Sequence, residues 1–327
     1  MTVVLSRSDV LDLLSLPDCI DAVERAFRFH AEGHTLGPGV LSMHASGGGF
    51  HIKAAGLIGE RSYFAAKTNG NFSDNPRRWG LPTIQGTIVL ADATNGTPLA
   101  IMDSGSVTAL RTGAATAVAA KFLARPDARS ATIVGCGVQG EVQLAAVTAV
   151  LPLRRIMLVD IDHARAEDLA TRAATKHGVQ VEPAKDLRAA LRESDVCVTC
   201  TTSRRPFLDA KDIAPGTFIA AVGADNPEKQ ELEPSLLASA TLVVDVLHQC
   251  AEIGELHHAL AAGLLTPERV HAELADVVVG RRPGRTSREE ITIFDSSGTA
   301  LQDVAAAVAV YEKASALGRG TAVKLDA

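Results

Sequence analysis

The chain has 327 residues, of which 46% are hydrophobic and 21% charged, with 27 glycines and 14 prolines; that balance fits a soluble enzyme and excludes a collagenous or disordered chain. The length exceeds what one core usually holds, so two domains are expected. A formal charge of -6 without a basic run argues against a nucleic-acid partner, because phosphate-tracking surfaces need clustered Lys and Arg.

The first residues, Met1-Thr-Val-Val-Leu-Ser-Arg-Ser-Asp9, lack a basic segment followed by a sustained apolar one, and charges interrupt every apolar stretch before it could span a bilayer. A cytoplasmic protein without a membrane partner is expected. A first helix is predicted over about residues 8–32. Strands and hairpins follow at Phe50–Lys53, Tyr63–Lys67, Thr87–Asp92 and Pro98–Met102, punctuated by glycine clusters and Asn95-Gly96. An Ala-rich helix, Ser106–Ala124, bridges to a different texture and stops before Pro126. From residue 130 onward, apolar strands near 131–135, 155–160, 195–200, 217–222, 241–246 and 291–294 alternate with helical stretches, the pattern of a doubly wound parallel sheet. Another small-residue helix begins near Ser297 and is expected to return to the first domain. The predicted fold is α/β, a Rossmann-type domain over 116–299 inserted into an α+β domain formed by 1–115 plus 300–327. Arg281-Arg282 and Arg285–Arg288 read as a solvated loop. Five cysteines at irregular positions, including Cys197-x-x-Cys200, read as buried free thiols rather than as a disulfide framework, and no metal site is expected.

Ser130–Gly135, a buried strand, runs through Gly135-Cys-Gly137-Val138-Gln139-Gly140 into a helix, the arrangement that sets a pyrophosphate on a helix N-terminus. Gly135 permits the turn, Gly137 admits the phosphates and Gly140 lets helix pack on strand. The next strand ends at Asp160, about twenty residues past Gly140, where a carboxylate holds ribose hydroxyls and repels a 2′-phosphate. NAD is therefore the expected cofactor, with nearby Arg165 the feature that speaks for NADP. Thr201 and Thr202, at the end of a strand facing the glycine loop, would line ribose and nicotinamide, and Ser296 to Gly298, Ser297 among them, would meet the carboxamide through backbone.

Several ordered motifs extend the reading over nearly the whole chain: Lys67-Thr-Asn-Gly-Asn-Phe72, Gly80-Leu-Pro-Thr83-Ile-Gln-Gly86, Thr108-Ala-Leu-Arg111-Thr112-Gly, Gly223-Ala-Asp225 and Phe294-Asp-Ser-Ser-Gly-Thr-Ala-Leu-Gln-Asp303. Together with the glycine loop they resemble the ornithine cyclodeaminase/μ-crystallin family. That resemblance implies hydride exchange between nicotinamide and the α-carbon of an amino acid or its imine, and a homodimer. It implies Arg111 as clamp for the α-carboxylate, Lys67 as the active-site lysine, Asp225 as the catalytic aspartate, and Thr83 and Thr112 as cofactor contacts. Other readings stay open beside these: Asp225 as a helix cap, Arg111 as a solvent-exposed helix residue, and Lys53 and Lys67 as exposed strand lysines.

Ornithine-using members carry an acid, typically in a Glu-Leu-Met-Pro run, where this chain has His51-Ile-Lys53-Ala. The exchange inverts the local charge, repelling a distal ammonium and attracting a distal carboxylate. The family's upstream Pro-Arg pair is also missing, since Gly39 follows Pro38, and Lys53 is the candidate to replace that arginine. The expected activity is NAD-dependent reduction of a small α-imino acid to its L-amino acid, with iminosuccinate preferred and alanine dehydrogenation or ketimine reduction next. Ornithine cyclodeamination and ligand binding of the μ-crystallin kind are the rival readings.

Overall fold

The computed structural model describes residues 1–325. It forms two compact units, Met1–Arg111 with Thr299 onward, and Thr112–Gly298. The chain leaves the first unit inside the continuous helix Ser104–Leu123 and returns to it at Thr299.

The first unit is built on a seven-stranded sheet in the order 321–323, 2–5, 98–103, 84–92, 63–71, 48–57, 35–45. From 98–103 to 35–45 every pairing is antiparallel. Strand side chains alternate between faces, and the register pairs His51 with Asn69 and Lys53 with Lys67. These four polar side chains therefore share one face. The helix Ala300–Leu317 packs on that face and on the helix Leu16–Ala31. The opposite face leaves Leu41, Met43, Phe50, Phe64 and Val89 exposed.

The predicted first helix is in fact two, Arg7–Leu13 and Leu16–Ala31. Ser15 restarts the helix because its hydroxyl accepts the backbone N–H of Asp18 at 3.2 Å, and Pro17 fits the first turn, where its missing N–H costs nothing. The edge strand Thr35–Ala45, broken in register between Leu36 and Gly39, has no clean alternation and is not predictable from its pattern.

The second unit is an eight-stranded sheet in the order 272–273, 241–244, 292–295, 218–221, 196–199, 130–134, 155–159, 180–183. Every pairing in it is parallel. The strand order reverses beside 130–134, and the crevice at the carboxyl ends of 130–134 and 196–199 is the place where such sheets bind ligands. The fold is a Rossmann-type, doubly wound sheet. The six predicted strands are present, and Gln180–Pro183 and Ala272–Glu273 add an edge on each side. No helix among the described residues is long and apolar enough to cross a membrane.

In the basic stretch 281–288, Arg281, Arg282 and Arg288 are exposed as expected of a solvated loop, but Arg285 is not. Arg285 donates to the carbonyl of Leu123 at 2.8 Å, to that of Glu290 at 2.5 Å and to the Thr292 hydroxyl at 2.9 Å, so it fastens this loop to the end of the long helix. Arg285→Ala strands partly buried acceptors and is expected to cost about 1–3 kcal/mol. Thermal unfolding checks this: the melting temperature should fall by several degrees, whereas Arg281→Ala, at the exposed end of the loop, should leave it in place.

Candidate active site

The helix Ala300–Leu317 begins at Thr299, whose hydroxyl caps it, and carries a carboxylate, Asp303, in its first turn. An acid at this position is favoured by the helix dipole, but Asp303 is only 1% exposed and needs positive partners. It has them on the sheet and on the long helix. Lys67 Nζ lies 2.8 Å from each carboxylate oxygen, and Arg111 Nε lies 2.9 Å from Oδ1. Arg111 Nη1 also donates to the Gln302 side-chain carbonyl at 2.7 Å, and Lys67 Nζ approaches the Thr108 hydroxyl at 3.4 Å. Lys53, paired in register with Lys67, adds a third cation to the same face.

Burial lowers the Lys67 pKa to about 7, and the positive charges of Arg111 and Lys53 push it the same way against the pull of Asp303. For Asp303 itself burial acts upward, but Lys67, Arg111 and Lys53 outweigh it and hold the carboxyl below its ordinary range. Burial thus outweighs even a carboxylate at 2.8 Å, and the two neighbouring cations add to it. His51, two residues along the strand, faces the same side and shares a 3.0 Å hydrogen bond with Ser42. Asn69 is fixed by the Ser104 hydroxyl at 2.6 Å.

None of these three cations is exposed in the fold, and Lys67 is as deeply buried as the other two. Lys53 is on a strand paired on both sides and is 9% exposed, and Arg111 is 5% exposed. Asp303 and Gln302 escaped the sequence reading as site residues. The available signal was an acid and an amide, adjacent, in the first turn of a helix whose next residues, 304–310, are all alanine or valine.

In the second unit the glycine loop has the geometry that its sequence requires. Gly135 has φ +102°, a conformation that disfavours any side chain, and a Cβ there would lie 2.9 Å from the Cys200 carbonyl oxygen. A Cβ on Gly140 would lie 2.2 Å from the Gly135 carbonyl oxygen, which is why helix and strand can pack so closely. Gly137, the N-cap of the helix Val138–Val150, faces open space, with nothing within 4 Å of a Cβ built on it. An open backbone ahead of a 13-residue helix is a fitting cradle for a pyrophosphate. Val138 is exposed beside it, and Gln139 is in the first turn near Gln143.

Asp160 accepts the backbone N–H of Cys136 at 2.7 Å and that of Asp162 at 2.9 Å, so it braces the loop. Arg165 is drawn to Asp162 at 3.4 Å. Thr201 gives both its backbone N–H and its hydroxyl to Glu231, each at 2.7 Å, while Thr202 beyond it is exposed. The Ser297 hydroxyl is engaged by Asp245 at 2.7 Å and Gln249 at 2.8 Å. Asp225 follows the strand Phe218–Ala221 in an exposed turn, with Lys229 Nζ 2.7 Å and Asn226 Nδ2 3.2 Å from its carboxylate. No helix starts there, so the capping alternative has nothing to cap; the next helix is Pro234–Ser239. Thr112 is buried, its carbonyl accepting from Thr116 at 3.4 Å. Thr83 belongs to the first unit, where its carbonyl accepts the Phe72 N–H at 2.9 Å. All five cysteines are free.

The sequence profile of the ornithine cyclodeaminase/mu-crystallin family matches residues 1–318. An archaeal alanine dehydrogenase dimer with bound NAD superposes with a TM-score of 0.94 at 37% identity, covering 99% of each chain. Thermococcus litoralis Δ(1)-pyrroline-2-carboxylate reductase in complex with NADH and L-proline superposes with a TM-score of 0.94 at 34% identity, covering 98% of this chain and 100% of that one. The iminosuccinate reductase of Paracoccus denitrificans in complex with NAD+ gives 0.91 at 31% identity, covering 99% of each. With a match of this extent, the chain belongs to the ornithine cyclodeaminase/mu-crystallin family.

Proposed function

We propose that this protein reduces iminosuccinate, or a closely similar dicarboxylic α-imino acid, to its L-amino acid. As a member of its family it is an NAD-dependent oxidoreductase acting on imino or amino acids. The observation that carries the finer reading is the group of three cationic side chains, Lys53, Lys67 and Arg111, around the buried Asp303. A dianionic substrate suits that surplus of positive charge, because a carboxylate taken from water without a cationic partner costs several kcal/mol.

Arg111 clamps the α-carboxylate through its planar fork, and Lys67 helps neutralise it and polarises the reacting centre. Lys53, with His51 beside it, receives the distal carboxylate. NAD is held by Gly135, Gly137, Val138, Gln139 and Gly140 at the pyrophosphate, by Asp160 at the ribose, and by Thr201, Thr202, Ser297, Thr83 and Thr112 around the remainder. When bound in its reduced form it supplies the hydride that the imine carbon accepts. Asp225 trades the accompanying proton with the substrate nitrogen, and its exposed position lets it exchange that proton with solvent. Arg111 and Lys67 would also serve a monocarboxylic imine, as an alanine dehydrogenase needs, whereas a distal ammonium of the ornithine kind meets repulsion from Lys53.

The apolar outer face of the first unit's sheet, with Leu41, Met43, Phe50, Phe64 and Val89 exposed, supports a homodimer in which a second copy covers it. The solved alanine dehydrogenase is a dimer. The five free cysteines accord with a reducing, cytoplasmic setting.

Two measurements test the reading. Initial rates of NADH oxidation with oxaloacetate and ammonia, and with pyruvate and ammonia, should favour the four-carbon substrate. Lys53→Met should lower its kcat/KM by about 10²-fold while changing the pyruvate-derived rate only a few-fold. Turnover of ornithine, or an equal loss on both substrates, removes the dicarboxylate assignment. For the cofactor, the wild type should prefer NADH to NADPH, and Asp160→Ala should narrow that preference by about 10-fold through weaker NADH binding. Equal use of both cofactors by the wild type would take away the role of Asp160.

A further inference from the structure

Glu231 lies in the short strand Gln230–Leu232 of the second unit and is wholly buried. Its carboxylate collects four donors. Oε1 accepts the backbone N–H and the hydroxyl of Thr201, each at 2.7 Å; Oε2 accepts the Thr199 hydroxyl at 2.6 Å and the backbone N–H of Gly223 at 2.9 Å. These donors come from two different loops. Thr199 ends the strand Val196–Thr199 and Thr201 lies in the loop that follows it, while Gly223 belongs to the turn that leads two residues later to Asp225.

The surroundings are shaped for this one group. A Cβ on Gly223 would fall 2.4 Å from the Glu231 carboxyl carbon, so the glycine of Gly223-Ala-Asp225 makes room for the carboxylate. Glu231 is itself held by its backbone: Glu255 accepts the N–H of Glu231 at 2.7 Å and that of Leu232 at 3.1 Å. Asp295 in turn accepts the N–H groups of Glu255 at 3.1 Å and Leu256 at 2.9 Å. Three buried carboxylates thus satisfy backbone donors in series, and the first of them joins the two loops.

We infer that Glu231 is a positioning residue that locks the Thr201–Thr202 loop and the Gly223–Asp225 turn into a single rigid piece, so that proton donor and cofactor-lining hydroxyls keep one geometry. This rests on the roles proposed above for Asp225 and Thr201. A carboxylate is needed because two backbone N–H groups, which can only donate, address its two different oxygens. A glutamine in either orientation would set its NH2 against one of them.

Glu231→Gln therefore keeps volume while breaking the joint. In the full-length enzyme it should lower kcat by roughly 10- to 100-fold and weaken NADH binding several-fold, read by the fluorescence of NADH. The primary isotope effect on kcat with 4-deuterated NADH should rise, because loosened geometry slows the chemical step in particular. A fold-stabilising role alone would lower the melting temperature and leave the isotope effect unmoved. Thr199→Val, which removes one donor from outside the proposed site, should shift kcat and the isotope effect in the same direction by a smaller factor, and it decides the matter if Glu231→Gln does not fold. Folded Glu231→Gln enzyme with wild-type kcat, NADH affinity and isotope effect overturns the inference, as does a wild-type isotope effect in Thr199→Val. Asp225→Asn, assayed in parallel, separates the two levels. Wild-type turnover there removes the reading of Asp225, whereas a slow Asp225→Asn enzyme beside an unaltered Glu231→Gln enzyme removes only the role of Glu231.

Discussion

A buried carboxylate surrounded by cations is the constraint on which the candidate site depends. Asp303 could not stay ionised at 1% exposure without Lys67 and Arg111, and neither cation could stay buried without an anion beside it. The three come from a helix that returns after an insertion of nearly two hundred residues, a central sheet strand and a second helix. Their meeting therefore fixes how the separated parts of the first unit fit together. Removing Asp303 would leave two cations buried against each other; removing either cation would leave the carboxylate short of donors. Lys53 on the neighbouring strand adds a further cation to the same face, which supports the proposed reading of an anionic substrate.

The second unit is organised by backbone closeness instead of by charge. Gly135, Gly140 and Gly223 each stand where a methyl group would collide with a carbonyl or carboxyl group, at 2.9, 2.2 and 2.4 Å respectively. Such contacts bring strand ends, the helix N-terminus and the Asp225 turn into short, fixed relations, with buried acids satisfying the backbone donors that the loops would otherwise leave open. Flexible loops would position donors and acceptors less well for a transfer that depends on sub-ångström alignment.

Much of this was legible in the sequence, for identifiable reasons. The parallel sheet announces itself because its strands are buried on both faces and read as short apolar runs, and the glycine loop because Gly135 and Gly140 each answer a separate steric demand. Arg111 and Lys67 were accessible through their motifs. Asp303 was not singled out, although its motif was, because a lone acid at the start of an alanine-rich helix looks like an ordinary first-turn acid until tertiary packing buries it. Glu231 is hidden for a related reason: its partners are backbone N–H groups, which leave no mark in a sequence. The break between Leu13 and Leu16 shows the opposite case, since Ser15 and Pro17 carried the signal but the apolar periodicity runs on through them. Arg285 reads as one member of a basic loop but is its anchor, because what distinguishes it is one acceptor distant in sequence, at Leu123, and two just beyond the loop, at Glu290 and Thr292.

The account turns on Lys67, whose pKa is lowered first by burial and then by the charges of Arg111 and Lys53, and its titration with and without bound anions tests that environment most directly. Carbon-13 NMR of the enzyme labelled at lysine Cε should show one lysine titrating near pH 7 instead of near the ordinary 10.5, and that signal should disappear in Lys67→Arg. Anions nearby favour the ammonium form, so a bound carboxylate must raise the midpoint. Saturating succinate should raise it further than saturating propionate, because only the dicarboxylate answers Lys53 as well as Arg111. A Lys67 midpoint at its ordinary value, or an equal rise with the two ligands, would contradict the account.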